Sequence, residues 1–84
     1  MIYGYANRTI NEYGLQELRE VTLAMTPAQL KQVAGFLLEM ADEMETGTLR
    51  GPNAHRHLTT MNPGWSKEHP SADIIVTPSR GAGE

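Results

Sequence analysis

The chain has 84 residues, with ten acids against seven Lys plus Arg and a formal charge of −3. That length makes one small domain, burying only about 60–65% of its extended surface, and that balance argues against a general nucleic-acid binder, which would show a basic face. Cysteine is absent, which excludes a disulfide framework, a thiolate metal site and a thiol nucleophile, and suits a reducing, cytoplasmic setting.

Residues 1–6 place Tyr3 and Tyr5 in alternation with small or aliphatic neighbours, which predicts a first strand. Gly4 inside it marks a close backbone approach or a bulge. The same stretch lacks the basic segment and apolar core of a signal peptide. Residues 7–14 are turn-rich, with Asn11 and Gly14 suited to the first and last places of a type I turn.

From Leu15 to Met25 the pattern predicts one long strand. Val21, Leu23 and Met25 alternate as a half-buried strand does. Leu18 is out of phase with them, so either a bulge sits near Arg19–Glu20 or residues 14–18 form a turn before the strand begins, and the long strand with a bulge is the preferred reading.

Residues 26–46 carry the clearest local signals. Thr26 is a good N-cap, Pro27 fits the first helical position, and Gln29 completes a capping box. Gly47 supplies a left-handed stop. At about 100° per residue, Leu30, Val33, Ala34, Leu37, Ala41 and Met44 share one face, flanked by Phe36, Leu38 and Met40. This apolar arc spans roughly half the circumference, wider than the ~100° of a typical surface helix. Such width calls for a curled sheet, the Trp65 loop or a second chain as additional cover. The polar arc holds Glu39, Asp42 and Glu43, with Glu45 nearby. Acids at a helix C-terminal end oppose the helix dipole. They are either a solvated face or a patch aimed at a basic partner.

After the helix, residues 47–53 read as a loop, 54–59 as a third strand and 72–77 as a fourth. Between those strands, residues 60–71 form a loop containing Trp65. Residues 79–84 read as a disordered tail beyond a domain of residues 1–78. The order β-β-α-β-β predicts an α+β fold, with one antiparallel four-stranded sheet packed on a single long amphipathic helix.

His55 and His57, at i and i+2 on a strand, point to one side and could share a metal. A zinc site needs further ligands, and only His69, Glu68 and Asp73 are candidates. Packing on the exposed side of the sheet is the commoner fate of such a pair, so neither metal nor cofactor is expected. The alternative to packing is a partner-binding surface in which His55, Arg56 and His57 are contact residues. No nucleophile motif or phosphate cradle accompanies them, so the chain reads as non-enzymatic. Trp65 is either a loop anchor or an exposed interface hot spot. Tyr3 and Tyr5 read as packing residues, since few cations accompany them for nucleic-acid stacking.

Several of these stretches together resemble a known family. They are Tyr3-Gly4-Tyr5, the segment Gly14-Leu15-x-x-Leu18-x-Glu20-Val21-Thr22, the Pro27-opened helix ending in Met44-Glu45, His55-x-His57, and Asp73-Ile74-Ile75-Val76. The family is immunity protein 32 of bacterial polymorphic-toxin systems, and the resemblance runs to about Pro78. It implies an α+β fold and stoichiometric neutralisation, without catalysis, of a cognate toxin made by the same cell. An acidic inhibitor would be steered toward a basic, nuclease-type toxin. On this reading the partner surface is Glu39, Asp42, Glu43 and Glu45, or the face bearing His55, Arg56 and His57, with Trp65 as a further contact. A homodimer is a third possibility from another class, as is a metal- or ligand-binding domain on His55 and His57.

Overall fold

The computed structural model describes residues 1–9, 15–65 and 72–79. Its elements are β1 (Ile2–Thr9), β2 (Gln16–Leu23), α1 (Pro27–Thr46), β3 (Arg56–His57), α2 (Leu58–Met61) and β4 (Ile75–Val76). The expected loop over 60–71 falls partly, and the tail at 79–84 all but Ser79, outside the described residues.

The strands do not form one four-stranded sheet. They make two separate antiparallel pairs, β1–β2 and β3–β4, and a second helix interrupts the expected third strand at Leu58. The physical reason lies in Asp73. One of its carboxylate oxygens accepts the Thr59 N–H at 3.2 Å, supplying a cap to the first turn of α2 that His57, at the N-cap position, does not supply from its own side chain. With that N–H taken, and Leu58 N–H bonded to the Ile74 carbonyl at 2.8 Å, the chain turns instead of extending. β3 and β4 are therefore two residues each.

The β1–β2 ribbon is longer than expected at its first strand, where Asn7–Thr9 continue the pairing. Tyr5 pairs with Glu20 but Ala6 pairs with Leu18, which leaves Arg19 as an extra residue on β2. This bulge brings Leu18 back into phase. By register Ile2, Gly4 and Ala6 on β1 share one face with Leu23, Val21 and Leu18 on β2. The opposite face carries Tyr3, Tyr5, Glu20 and Thr22, and the Arg19 guanidinium lies 5.1 Å from the Tyr5 ring centre. At Gly4 a Cβ would run into the Glu20 carbonyl, so glycine permits the strands to approach there.

Helix α1 begins and ends where its capping residues dictate. Thr26 Oγ1 accepts the Gln29 N–H at 3.2 Å and Gln29 Oε1 accepts the Thr26 N–H at 2.9 Å, a reciprocal capping box. Gly47 stops it in the left-handed region at φ 82°. The covered face, however, is rotated from the one expected. Val33, Phe36 and Met40 are buried, whereas Leu30, Ala34, Leu37 and Ala41 are exposed and Met44 is half-buried. The partners of the buried face are Leu49, Leu58 and Trp65, from the segment following the helix. Turning Phe36 and Met40 toward them buries the largest side chains and leaves the alanines outside, which removes more apolar area from water.

Ile2 and Met25 reach this core from the ribbon side, and Ala54, Ile74 and Val76 from the other. Every residue of β2 is exposed. The ribbon thus meets the body at its base and extends beyond it. No helix among the described residues is long and apolar enough to cross a membrane.

Candidate functional site

The side chains singled out for chemistry gather where β3, α2 and β4 meet. Pairing Arg56 with Val76 and His57 with Ile75 brings Asp73, two residues ahead of β4, against the start of α2. His57 Nδ1 lies 2.8 Å from Asp73 Oδ2. A carboxylate only accepts hydrogen bonds, so Nδ1 carries a proton and donates. Thr59 Oγ1 donates to the same oxygen at 3.0 Å, and the Thr59 and Ile74 N–H groups donate to Oδ1 at 3.2 and 2.8 Å.

Burial alone would raise the Asp73 carboxyl. The hydrogen bonds from His57, Thr59 and Ile74 together outweigh it and hold the group below its usual value of 3.8. Chemically the cluster is a clamp. Its carboxylate ties the fourth strand to the short helix and fixes the His57 ring. The Thr59 hydroxyl spends its proton on Asp73, which argues against a nucleophilic role beside His57.

His55 and His57 do come together, with ring centres 5.1 Å apart in an edge-on arrangement. His55 Nδ1 lies 3.0 Å from the Asn53 carbonyl oxygen. Neighbouring rings are present, but among the described residues no group of three or more His, Asp or Glu side chains is placed to hold a metal. His69 and Glu68 lie outside the described residues.

Arg56 turns away from the histidines. Its Nε sits 3.4 Å from Glu43 Oε1, a partly buried ion pair that joins β3 to α1. Oε1 makes no hydrogen bond despite being buried, so the attraction is a charge pairing without hydrogen-bond geometry. This pairing separates Glu43 from the other helix acids. Glu39, Asp42 and Glu45 are exposed, and among the described residues none of the three is in an ion pair.

Trp65 is fully buried, with its Nε1–H donating to the Ala72 carbonyl at 2.9 Å. It anchors the loop to the core and offers no exposed contact, which removes it from the partner surface. Between α1 and α2 lies an open depression of about 290 Å³. Gln32 and Asn62 bridge it through a 2.6 Å hydrogen bond, with Lys31 and Glu39 at its rim.

Two features have little short-range signal in the sequence. One is the Thr59–Asp73 bond, for which no short-range signal exists. The other is the apolar surface left open by Leu18, Val21 and Leu23 on the ribbon and Leu30, Leu37 and Leu38 on the helix. Its signal was the surplus width of the helix arc. Comparison of the chain with protein-family models, with curated proteins and with solved structures found no match.

Proposed function

We propose that this chain is a non-enzymatic binding protein, an immunity protein that neutralises a cognate bacterial toxin by occupying it stoichiometrically in the cytoplasm of the producing cell. The observation that carries this reading is the set of exposed acids Glu39, Asp42 and Glu45, none in an ion pair among the described residues, on a helix capped at both ends. Of the other described acids, Glu17 pairs with Arg8 at 3.2 Å, Glu43 faces Arg56 and Asp73 clamps His57, while Glu20 is exposed on the ribbon opposite Tyr5. The three on α1 stand on a rigid element with their charge available to a basic surface, which favours fast, salt-sensitive association. A nuclease-type toxin domain offers such a surface.

His55, exposed beside the clamp, lies at the margin of this interface in the proposal, while His57, Arg56 and Glu43 hold the scaffold behind it. The test uses the toxin domain encoded beside this gene. The wild-type protein is expected to inhibit it at a one-to-one ratio. Charge reversal at Glu39, Asp42 and Glu45 should slow association at least tenfold at low salt and flatten its salt dependence. Failure of the wild type to bind that domain at micromolar concentration sinks the reading, and unchanged association of the reversed variant removes the acids from the interface.

A further inference from the structure

We propose that His55 and His57 form a surface site for Zn²⁺, which binds between their Nε2 atoms with its remaining positions open to water. Zinc binding of this kind is independent of the toxin-binding reading, and it is tested with no toxin present.

The i, i+2 spacing puts the two rings on one side of an extended segment. The structure adds which nitrogen of each ring is available. His57 Nδ1 is 2.8 Å from Asp73 Oδ2, and His55 Nδ1 is 3.0 Å from the Asn53 carbonyl oxygen. Carboxylate and carbonyl oxygens only accept hydrogen bonds, so in both rings Nδ1 carries a proton. In the neutral imidazole the free lone pair is then on Nε2. Histidines that bind metals are oriented in this way, the far ring nitrogen donating to a carboxylate or a backbone carbonyl. Here one ring has the first kind of partner and its neighbour has the second.

The same tautomers exclude a simpler role for the pair. Two neutral rings that both present lone pairs at Nε2 cannot hydrogen-bond to each other through those atoms. Among the described residues the hydrogen bonds of both rings run through Nδ1, which leaves two acceptors side by side. A cation satisfies both at once. Access is open, since His55 is exposed and the His57 side chain is 38% exposed. The separation also fits. With Zn–N bonds of about 2.0–2.1 Å and a tetrahedral angle, two imidazole centres stand about 5.2 Å apart, and those of His55 and His57 are 5.1 Å apart. Their edge-on tilt is compatible with coordination, because each ring can turn about its own metal–nitrogen bond.

Charge around the pair does not oppose a cation. Arg56 lies between the histidines in sequence, and its Nη1 donates to the His55 carbonyl at 3.2 Å. Its Nε faces Glu43 at 3.4 Å, which offsets that charge. The Asp73 carboxylate behind His57 makes the imidazole a more basic ligand. Imidazole donors with no carboxylate bound directly favour zinc over magnesium or calcium. Two protein ligands are fewer than the three or four of catalytic and structural zinc sites, and among the described residues no third side chain completes the set. The site is therefore open and its zinc readily exchanged.

The test is calorimetric titration of the wild-type chain with Zn²⁺ at neutral pH in a buffer that does not bind metal. One ion per chain should bind in the micromolar range, and Mg²⁺ should give no saturable signal. His55→Ala, at an exposed position, should weaken zinc binding by more than about tenfold, since one ligand of two is lost. Nitrogen-resolved NMR of the wild type identifies the ligands without any variant. Both rings should show a protonated Nδ1 before zinc is added, and zinc should shift Nε2 of His55 and His57 together. Absence of saturable binding below millimolar Zn²⁺ overturns the proposal and leaves the rings a packing pair. Unchanged affinity in His55→Ala overturns it too, as do zinc-induced shifts confined to His69, the remaining histidine of the chain.

Discussion

At the scale of single residues, Asp73 does the most to set the local geometry. It accepts from His57, from the Thr59 hydroxyl and N–H, and from the Ile74 N–H, and so holds β3, α2 and β4 together. Its carboxyl is lowered in the folded state, so its contribution is complete above the unfolded value of 3.8 and disappears as pH falls through the lower, folded one. Asp73→Asn keeps the shape and part of the acceptor set but loses the charge. It is expected to cost about 1–2 kcal/mol at neutral pH, measured by urea denaturation. As pH falls below 3.8 the gap between variant and wild type should narrow, and it closes only below the lower, folded value, where the wild-type carboxyl is neutral as well. A gap that persisted undiminished there would show that the charge is not what stabilises the clamp. His57 was legible as a candidate from its i, i+2 spacing with His55. Its true partner was not, since residues 57 and 73 are joined by strand pairing that no local pattern announces.

At the scale of elements, two glycines separate close packing from open surface. A Cβ at Gly4 meets the Glu20 backbone, while one at Gly35, midway along α1, meets nothing within 4 Å. Gly4→Ala should destabilise the fold by about 1–3 kcal/mol through overpacking, and Gly35→Ala should stabilise it by about 0.5–1 kcal/mol through helix propensity. Thermal melts of the two variants decide this, and a Gly4→Ala variant as stable as the wild type would contradict the ribbon geometry. The sequence disclosed α1 almost to the residue, because Thr26, Gln29 and Gly47 act on backbone groups within a turn of themselves. It disclosed the Arg19 bulge for a similar reason, through the phase of Leu18 against Val21. The single sheet failed because β3 and β4 are defined by long-range bonds such as Leu58 N–H to Ile74 O. The rotation of α1 was also hidden: periodicity marks which residues are apolar, and only the positions of Leu49, Leu58 and Trp65 decide which part of the arc is covered.

At the scale of the whole molecule, stability and binding pull the acidic face of α1 in opposite directions. The last turn of the helix has no basic residue, and Glu39, Asp42 and Glu45 approach a C-terminus whose dipole disfavours them. Glu39 also stands one turn from Glu43, a like-charged i, i+4 pair, and among the described residues only Glu43 of the helix acids is offset by an arginine. The free protein should therefore be better off without these charges. Neutralising them as Glu39→Gln, Asp42→Asn and Glu45→Gln is expected to raise Tm by about 1–2 °C per residue at low salt, with less gain as salt screens the dipole. If the face does no more than keep the chain soluble, toxin binding will be unchanged in the same variants. If it is the contact, the triple variant will be more stable and yet bind at least tenfold more weakly, with the difference shrinking as ionic strength rises. A fall in Tm would mean the three acids make favourable interactions within the fold, and their availability to a partner would then be the wrong explanation for their position.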